Sequence, residues 1–462
     1  MLPPLKWIMG VAVPLVPQSA WADGMAVVLP NVVLLACRGL LLCILVFLLV
    51  YAIRHYVFTL NRLYARQNPL YAHIEQAVWP RVAVFIAAHN EEAVVAGCIQ
   101  SLLRCAYPHD RLVIMPVNDR STDQTRAIID GFVARHPDRL RPFHRESGPP
   151  GKAAALKDAT DIVEREDLAD IIIIFDADYL PSKSLVKQLV AAFFDPEVGA
   201  VMGRVVPQNA AINMLTRLLD LERAGGYQVD QQARFNLGAV AQYGGTVGGV
   251  RLSALREVGG WHPSVLAEDT DLTYRLLLSG WRTAYLGHAE CYEEVPESWA
   301  VRFRQIGRWA KGHNQAMARY ARRVLTGRGL SWIERLDGLA LLGVFMMSPV
   351  LMLGWMLAIV VAVTGSGFDT RYAMTLGLLM ATVSGMCLGN FAAFFQVAAA
   401  VQLDRHQRRI RLLPFLLTGF LVSMVAITKA TLDWLILDRL LRREFRWDKT
   451  ARYRKAAGGD AT

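Results

Sequence analysis

Four long apolar runs, at residues 32–53, 338–363, 372–401 and 412–437, constrain this chain more than any other feature. Each exceeds about 18 residues, and in lipid only a helix satisfies its own backbone hydrogen bonds. All four lie outside residues 80–330. The expected architecture is therefore a membrane protein with one soluble domain between its spans. Composition agrees, since 53% of the 462 residues are hydrophobic, a high share for a water-soluble chain.

The formal net charge is +10. The Lys and Arg residues crowd the borders of the apolar runs, where cytoplasmic loops collect them. No zinc-finger spacing, RNP-like aromatic pattern or long basic arm accompanies them, so membrane lipids are expected partners and nucleic acid is not. The six cysteines show neither a disulfide framework nor metal-ligand spacing, which fits a reducing cytosol.

Residues 1–22 carry Lys6, a short apolar stretch and Ala20-Trp21-Ala22, the pattern of a signal peptide or of an uncleaved anchor. A first transmembrane helix is placed over 25–56, with Arg38 snorkelling to the outer interface. Arg54, His55, Arg62 and Arg66 at its end put the following domain in the cytoplasm. Residues 296–336 are basic and aromatic and read as interfacial amphipathic helices. A C-terminal membrane region covers 337–437 and a basic cytosolic tail 438–462. Three C-terminal crossings would put that tail outside, against its many arginines. The expectation is that the last run does not simply cross, with Lys429 and Asp433 beginning an interfacial helix.

Within 78–295, short β-like runs at 82–88, 112–117, 171–175 and 199–202 alternate with amphipathic stretches at 91–104, 122–135 and 152–164. That alternation predicts an α/β domain, a mostly parallel sheet with helices on both faces. In such sheets ligands bind beyond the carboxyl ends of the strands.

The polar motifs fall there. Ile171–Phe175 delivers Asp176 and Asp178 to a strand end, a pair able to hold Mg²⁺ or Mn²⁺ against a diphosphate; an acidic turn is the plain alternative. His89-Asn90-Glu91-Glu92 and Asn118-Asp119-Arg120-Ser121-Thr122-Asp123 close two further strands, as nucleoside acceptors or as helix caps. Lys152 after Gly148-Pro149-Pro150-Gly151 opens a helix and could meet phosphate, although no P-loop pattern is present. In Ala267-Glu268-Asp269-Thr270-Asp271, Asp269 is either a first-turn acid or the base that deprotonates an acceptor hydroxyl. In Gln305-Ile306-Gly307-Arg308-Trp309, arginine suits a leaving diphosphate and tryptophan a sugar face.

Taken in order, these motifs resemble family 2 glycosyltransferases over roughly residues 80–315, and more narrowly the membrane-integrated synthases of cellulose, mannan, chitin, hyaluronan and poly-N-acetylglucosamine. The resemblance implies a nucleotide-sugar donor, with UDP or GDP left open and UDP favoured. Its nucleotide site would comprise Ala88, Asn90, Glu91, Asp119, Lys152, Asp176 and Asp178, with Asp176 and Asp178 on the metal. Asp269 would be the catalytic base. Gly245, Thr246, Glu268, Gln305, Arg308 and Trp309 would clamp donor and acceptor.

Two enzyme readings follow. The leading one is a processive, inverting synthase that extends a growing β-linked glycan, an exopolysaccharide passed through its own helices with accessory export or regulatory subunits. A glycolipid synthase would add one sugar to a lipid acceptor. Either would sit in a bacterial-type inner membrane as a multi-pass protein. A non-catalytic binding subunit is disfavoured because no motif acid is missing, and a transporter because of the long soluble insert.

Overall fold

The computed structural model describes residues 31–65, 67, 78–364, 370–389, 392–404 and 407–440. The expected leader at 1–22 and nearly all of the basic tail at 438–462 lie outside the described residues, as do residues 365–369 of the short loop at 365–371 between the second and third apolar runs.

The central sheet has eight strands: β1 (Val82–Ala88), β2 (Leu112–Asp119), β3 (Phe143–Arg145), β4 (Ile171–Asp176), β5 (Leu180–Pro181), β6 (Val198–Pro207), β7 (Gly248–Arg251) and β8 (Arg282–Glu293). Their order is β3-β2-β1-β4-β7-β6-β8-β5. The half built from β1 to β4 is parallel, as expected. β7, however, runs antiparallel to both β4 and β6, and β5 antiparallel to β8. The sheet is mixed, a correction to the mostly parallel reading.

Both faces of the sheet are covered, which explains the continuous apolar strands. Ile171, Ile173 and Phe175 enter one core with Val84 and Ile86. Ile172 and Ile174 enter the other with Phe85 and Leu156. The side-chain period of two divides each strand between the cores. In register, Ala87 lies beside Asp176 and Ala88 beside Asn118, so the polar ends of β1, β2 and β4 finish at one level.

The chain divides into two compact units. The smaller, Met1–Val50 with Val350–Gly385, joins Leu34 and Leu41 to Ala358, Val361 and Met380. Its helices also turn apolar side chains outward, with Val32 79%, Leu35 70% and Leu378 70% exposed. Among the described residues three helices, Val32–Tyr64, Val344–Thr364 and Arg408–Leu437, are long and apolar enough to cross a membrane. The first helix begins at Asn31 and continues to Tyr64, past the expected end at 56.

The larger unit is Tyr51–Pro349 with Met386–Thr462. Two expectations about the C-terminal apolar runs are corrected. The apolar run 372–401 is not one helix. Its first helix, Thr370–Cys387, ends, and Gln396 Oε1 accepts the Ala393 N–H at 2.8 Å to start a new one, Phe394–Leu403. At ten residues that second helix is too short to span; it packs Val397 against Leu218 and Leu416. Lys429 and Asp433 do not begin a helix either. They form an i,i+4 pair at 2.7 Å within the Leu413–Asp433 helix, which continues through Trp434–Leu440. Within the expected interfacial stretch 296–336, the helix Trp299–Thr326 packs against the domain. Ile306 and Ala310 meet Ala426, Ile427 and Ala430, while Tyr320 and Val324 meet Tyr274 and Leu341.

Candidate active site

Two strand ends are stapled together before any ligand is considered. Asn90 (φ 56°) and Arg120 (φ 52°) adopt the left-handed conformation that reverses the chain after β1 and β2. The Asn90 N–H donates to Ser121 Oγ (2.8 Å), and Asn90 Oδ1 accepts the Thr122 N–H (2.7 Å). The Glu91 N–H donates to Thr125 Oγ1 at 2.8 Å. Asn90 is thus committed to holding the two loops, whereas Ala88 and Glu91 line the cleft beneath them.

Asp119 closes β2 between two arginines. Arg120 Nε and Arg145 Nη1 both donate to its Oδ1 at 2.9 Å, and Arg145 Nε also donates to Asp158 at 2.6 Å. Burial alone would raise its pKa, but the two guanidiniums outweigh that and hold the carboxyl below the ordinary range. It remains an anionic acceptor in the lining of the cleft.

Lys152 joins the catalytic motifs to one another. Its Nζ donates to Asp176 Oδ1 (2.6 Å) and to the Gly245 carbonyl (2.8 Å), and lies 3.9 Å from Glu268 Oε1. Burial disfavours its charge, yet Asp176 and Glu268 raise its pKa on balance. The Asp176 N–H donates to Thr246 Oγ1 at 3.2 Å, and Asp178 is 2% exposed one turn on. Gly245 (φ 71°) lets the loop approach the acids, since a Cβ there would stand 3.1 Å from Asp269 Cβ. Burial, against the pull of Lys152, pushes the Glu268 carboxyl up to about 7. Asp269 Oδ1 accepts the Thr270 N–H at 2.7 Å.

The opposite wall comes from the Trp299–Thr326 helix, which brings Gln305, Arg308 and Trp309 to the same cleft. Arg302 donates to Gln305 Oε1 (3.0 Å) and pairs with buried Glu222 (2.5 Å). The guanidinium carbons of Arg223 and Arg302 each lie 5.3 Å from the centre of the Trp309 ring, holding its orientation. Arg223 is itself held by Glu293 (2.6 Å), which accepts from the Tyr179 hydroxyl (2.9 Å).

The cleft encloses about 1310 Å³. Ala88, Glu91, Asp119, Lys152, Asp176, Asp178, Thr246, Glu268, Asp269, Gln305, Arg308 and Trp309 all line it, whereas Asn90 and Gly245 do not. Sequence reasoning missed Arg145, Tyr179, Arg223, Glu293 and His313, none of which carries a local motif. Among the described residues no group of three or more His, Cys, Asp or Glu side chains could hold a metal ion. Two neighbouring carboxylates nevertheless fit Mg²⁺ or Mn²⁺ arriving with a diphosphate, because these ions are commonly held by one or two carboxylates plus substrate phosphates.

Residues 80–312 match the family described as "Glycosyltransferase like family 2". The chain is 34% identical over 242 residues to a probable glycosyltransferase, YdaM, of Bacillus subtilis, covering 52% of this chain and 57% of that protein. It is also 34% identical over 260 residues to a beta-monoglucosyldiacylglycerol synthase of Synechocystis, covering 56% and 53%. The chain thus spans about half the length of these curated relatives. Among solved structures, the mannosyltransferase PcManGT from Pyrobaculum calidifontis, in complex with GDP-Man and Mn²⁺, shares the fold. Its TM-score is 0.55 at 20% identity, over 79% of this chain and 97% of that one. The mixed sheet is that of a GT-A-like domain, and with half of its length matched the chain belongs to glycosyltransferase-like family 2.

Proposed function

We propose that this protein is a membrane-bound, inverting glycosyltransferase that moves a sugar from a nucleoside diphosphate donor onto an acceptor hydroxyl presented at the membrane. The observation that carries the reading is the composition of the cleft. Strand-end acids line it together with Leu341, Val344 and Trp434, and the last two belong to helices apolar enough to span.

In this reading Asp119 accepts from the nucleoside, Glu91 lies beside it, and Asp176 and Asp178 face the diphosphate. A bound Mg²⁺ or Mn²⁺ would be held by those two carboxylates and supplies positive charge to the departing diphosphate. Arg308 adds charge from the facing helix, and Trp309 offers its face to the sugar. Asp269 takes the proton of the acceptor hydroxyl as the oxygen bonds to the anomeric carbon. The bond from that carbon to the diphosphate oxygen breaks in the same displacement, so configuration inverts. Thr270 holds Asp269 Oδ1, leaving Oδ2 for the proton.

A lipid is the favoured acceptor. The apolar side chains in the lining suit one, and the synthase of Synechocystis is named for a diacylglycerol product. The basic end of the first span, Arg54 and Arg62, supports a cytoplasmic side for the domain. The test is transfer by purified protein in nanodiscs, given diacylglycerol and a panel of UDP- and GDP-hexoses. A single low-mass glycolipid is expected. A ladder of high-mass product would replace the lipid with a growing β-glycan, and no transfer from any donor would overturn the proposal.

A further inference from the structure

Asp269 stands at the end of a chain of polar side chains drawn from four segments. The chain starts at Gln231, whose amide clasps the backbone of Gln242: its Oε1 accepts the Gln242 N–H (3.1 Å) and its Nε2 donates to the Gln242 carbonyl (3.0 Å). The Gln242 side chain is thereby presented to two partners. Its Nε2 donates to Thr270 Oγ1 at 3.1 Å and faces His313 Nε2 at 3.4 Å. Thr270 is fully buried, and its hydroxyl lies 3.4 Å from the same Asp269 oxygen that its N–H already reaches.

Donor and acceptor roles leave one consistent arrangement. Having accepted from Gln242, the Thr270 hydroxyl has its own proton to give to Asp269 Oδ1. His313 must offer a lone pair at Nε2 to the second amide hydrogen. Burial pushes its pKa down to about 4, keeping the ring neutral, and Phe345 packs edge-on against it with ring centres 4.8 Å apart. A charged imidazole would present a hydrogen to the amide instead.

We propose that Gln242 and Thr270 are positioning residues that aim the Asp269 carboxylate at the acceptor hydroxyl, with His313 fixing the direction in which the Gln242 amide points. The inference rests on Asp269 being the base. A network that merely fills the cleft wall would affect stability; a positioning chain affects turnover with donor binding intact.

The experiment compares Thr270→Val, Thr270→Ser, Gln242→Met and Asp269→Asn, measuring kcat, donor KM, UDP affinity and unfolding midpoint. Thr270→Val and Gln242→Met should each lower kcat about tenfold, the scale of a sub-ångström misplacement of a catalytic group, with UDP affinity unchanged. Thr270→Ser should recover most of the loss, and the Val/Met double variant should fall no further than either single one, because both cut one chain. Thr270→Val turning over like wild type, Ser failing to rescue, or losses that add would overturn the inference. If Asp269→Asn is inactive while Thr270→Val is unaffected, only the positioning chain falls. If Asp269→Asn turns over normally, the base assignment itself falls. Should Thr270→Val not fold, Gln242→Met against wild type carries the same comparison.

Discussion

Gly245→Ala is the sharpest test of how the site is assembled, because two separate costs can be read at that position. Its φ of 71° lies in the left-handed region, where an L-residue costs roughly 1–2 kcal/mol. The added methyl would stand 3.1 Å from Asp269 Cβ and 3.4 Å from Glu268 Oε1, so loop or helix must yield by a few tenths of an ångström. Overpacking of that kind costs about 1–3 kcal/mol. The sum, roughly 2–5 kcal/mol, corresponds to a midpoint lowered by about 4–20 °C for a domain of this size. Activity should fall further, by about tenfold, because the displaced groups are Asp269 and the carbonyl that holds Lys152. Gly244→Ala is the internal control. A methyl there would meet the end of the flexible Met202 side chain, with no positive φ to oppose it. Unfolding followed by intrinsic fluorescence in detergent, alongside sugar transfer, reads both terms. Gly245→Ala with wild-type midpoint and kcat, or Gly244→Ala more damaging than Gly245→Ala, would refute the reasoning.

Three further outcomes are expected. Asp269→Asn keeps a capping side chain, so the helix end should lose a few tenths of a kcal/mol while transfer falls about 10²–10⁴-fold with donor binding intact; wild-type turnover would make Asp269 a cap. Glu268 holds a proton in the fold up to about pH 7, whereas its ordinary value is 4.5, so between those values the unfolded chain has released a proton that the fold retains and stability falls as pH rises. Glu268→Gln should remove about 2–3 kcal/mol of that decline, seen as a flatter plot of midpoint against pH from 5 to 7, and an unchanged slope would contradict the burial argument. Chelation should abolish transfer and weaken UDP binding, with Mg²⁺ or Mn²⁺ restoring both; full UDP affinity in excess chelator would remove Asp176 and Asp178 from any metal role.

What the chain reveals without its fold divides along a physical line. The strands β1, β2 and β4 are legible because burial on both faces demands unbroken apolar residues, and the acids at their ends stand out against that background. β7 is not legible: two of its four residues are glycine, and a pair of glycines reads as a turn until β4 and β6 enclose it. Missing that strand is what made the sheet look parallel. The break in the run 372–401 is hidden for a similar reason, since hydropathy sees only apolar residues and not that Gln396 caps a new helix. Asn90 has the chemistry of a ligand, but its oxygen is engaged by Thr122, a partner 32 residues away. Lys152 shows the converse. From sequence it reads as a phosphate contact at a helix start, and in the fold it becomes the contact between Asp176 and Gly245 through a bond spanning 93 residues. Groups that do chemistry betray themselves by type and place on a strand, whereas groups that aim them are chosen by whichever charge or amide the topology carries past. Those aiming groups, Lys152, Arg145 and Gln242, are where substitutions should separate folding from turnover.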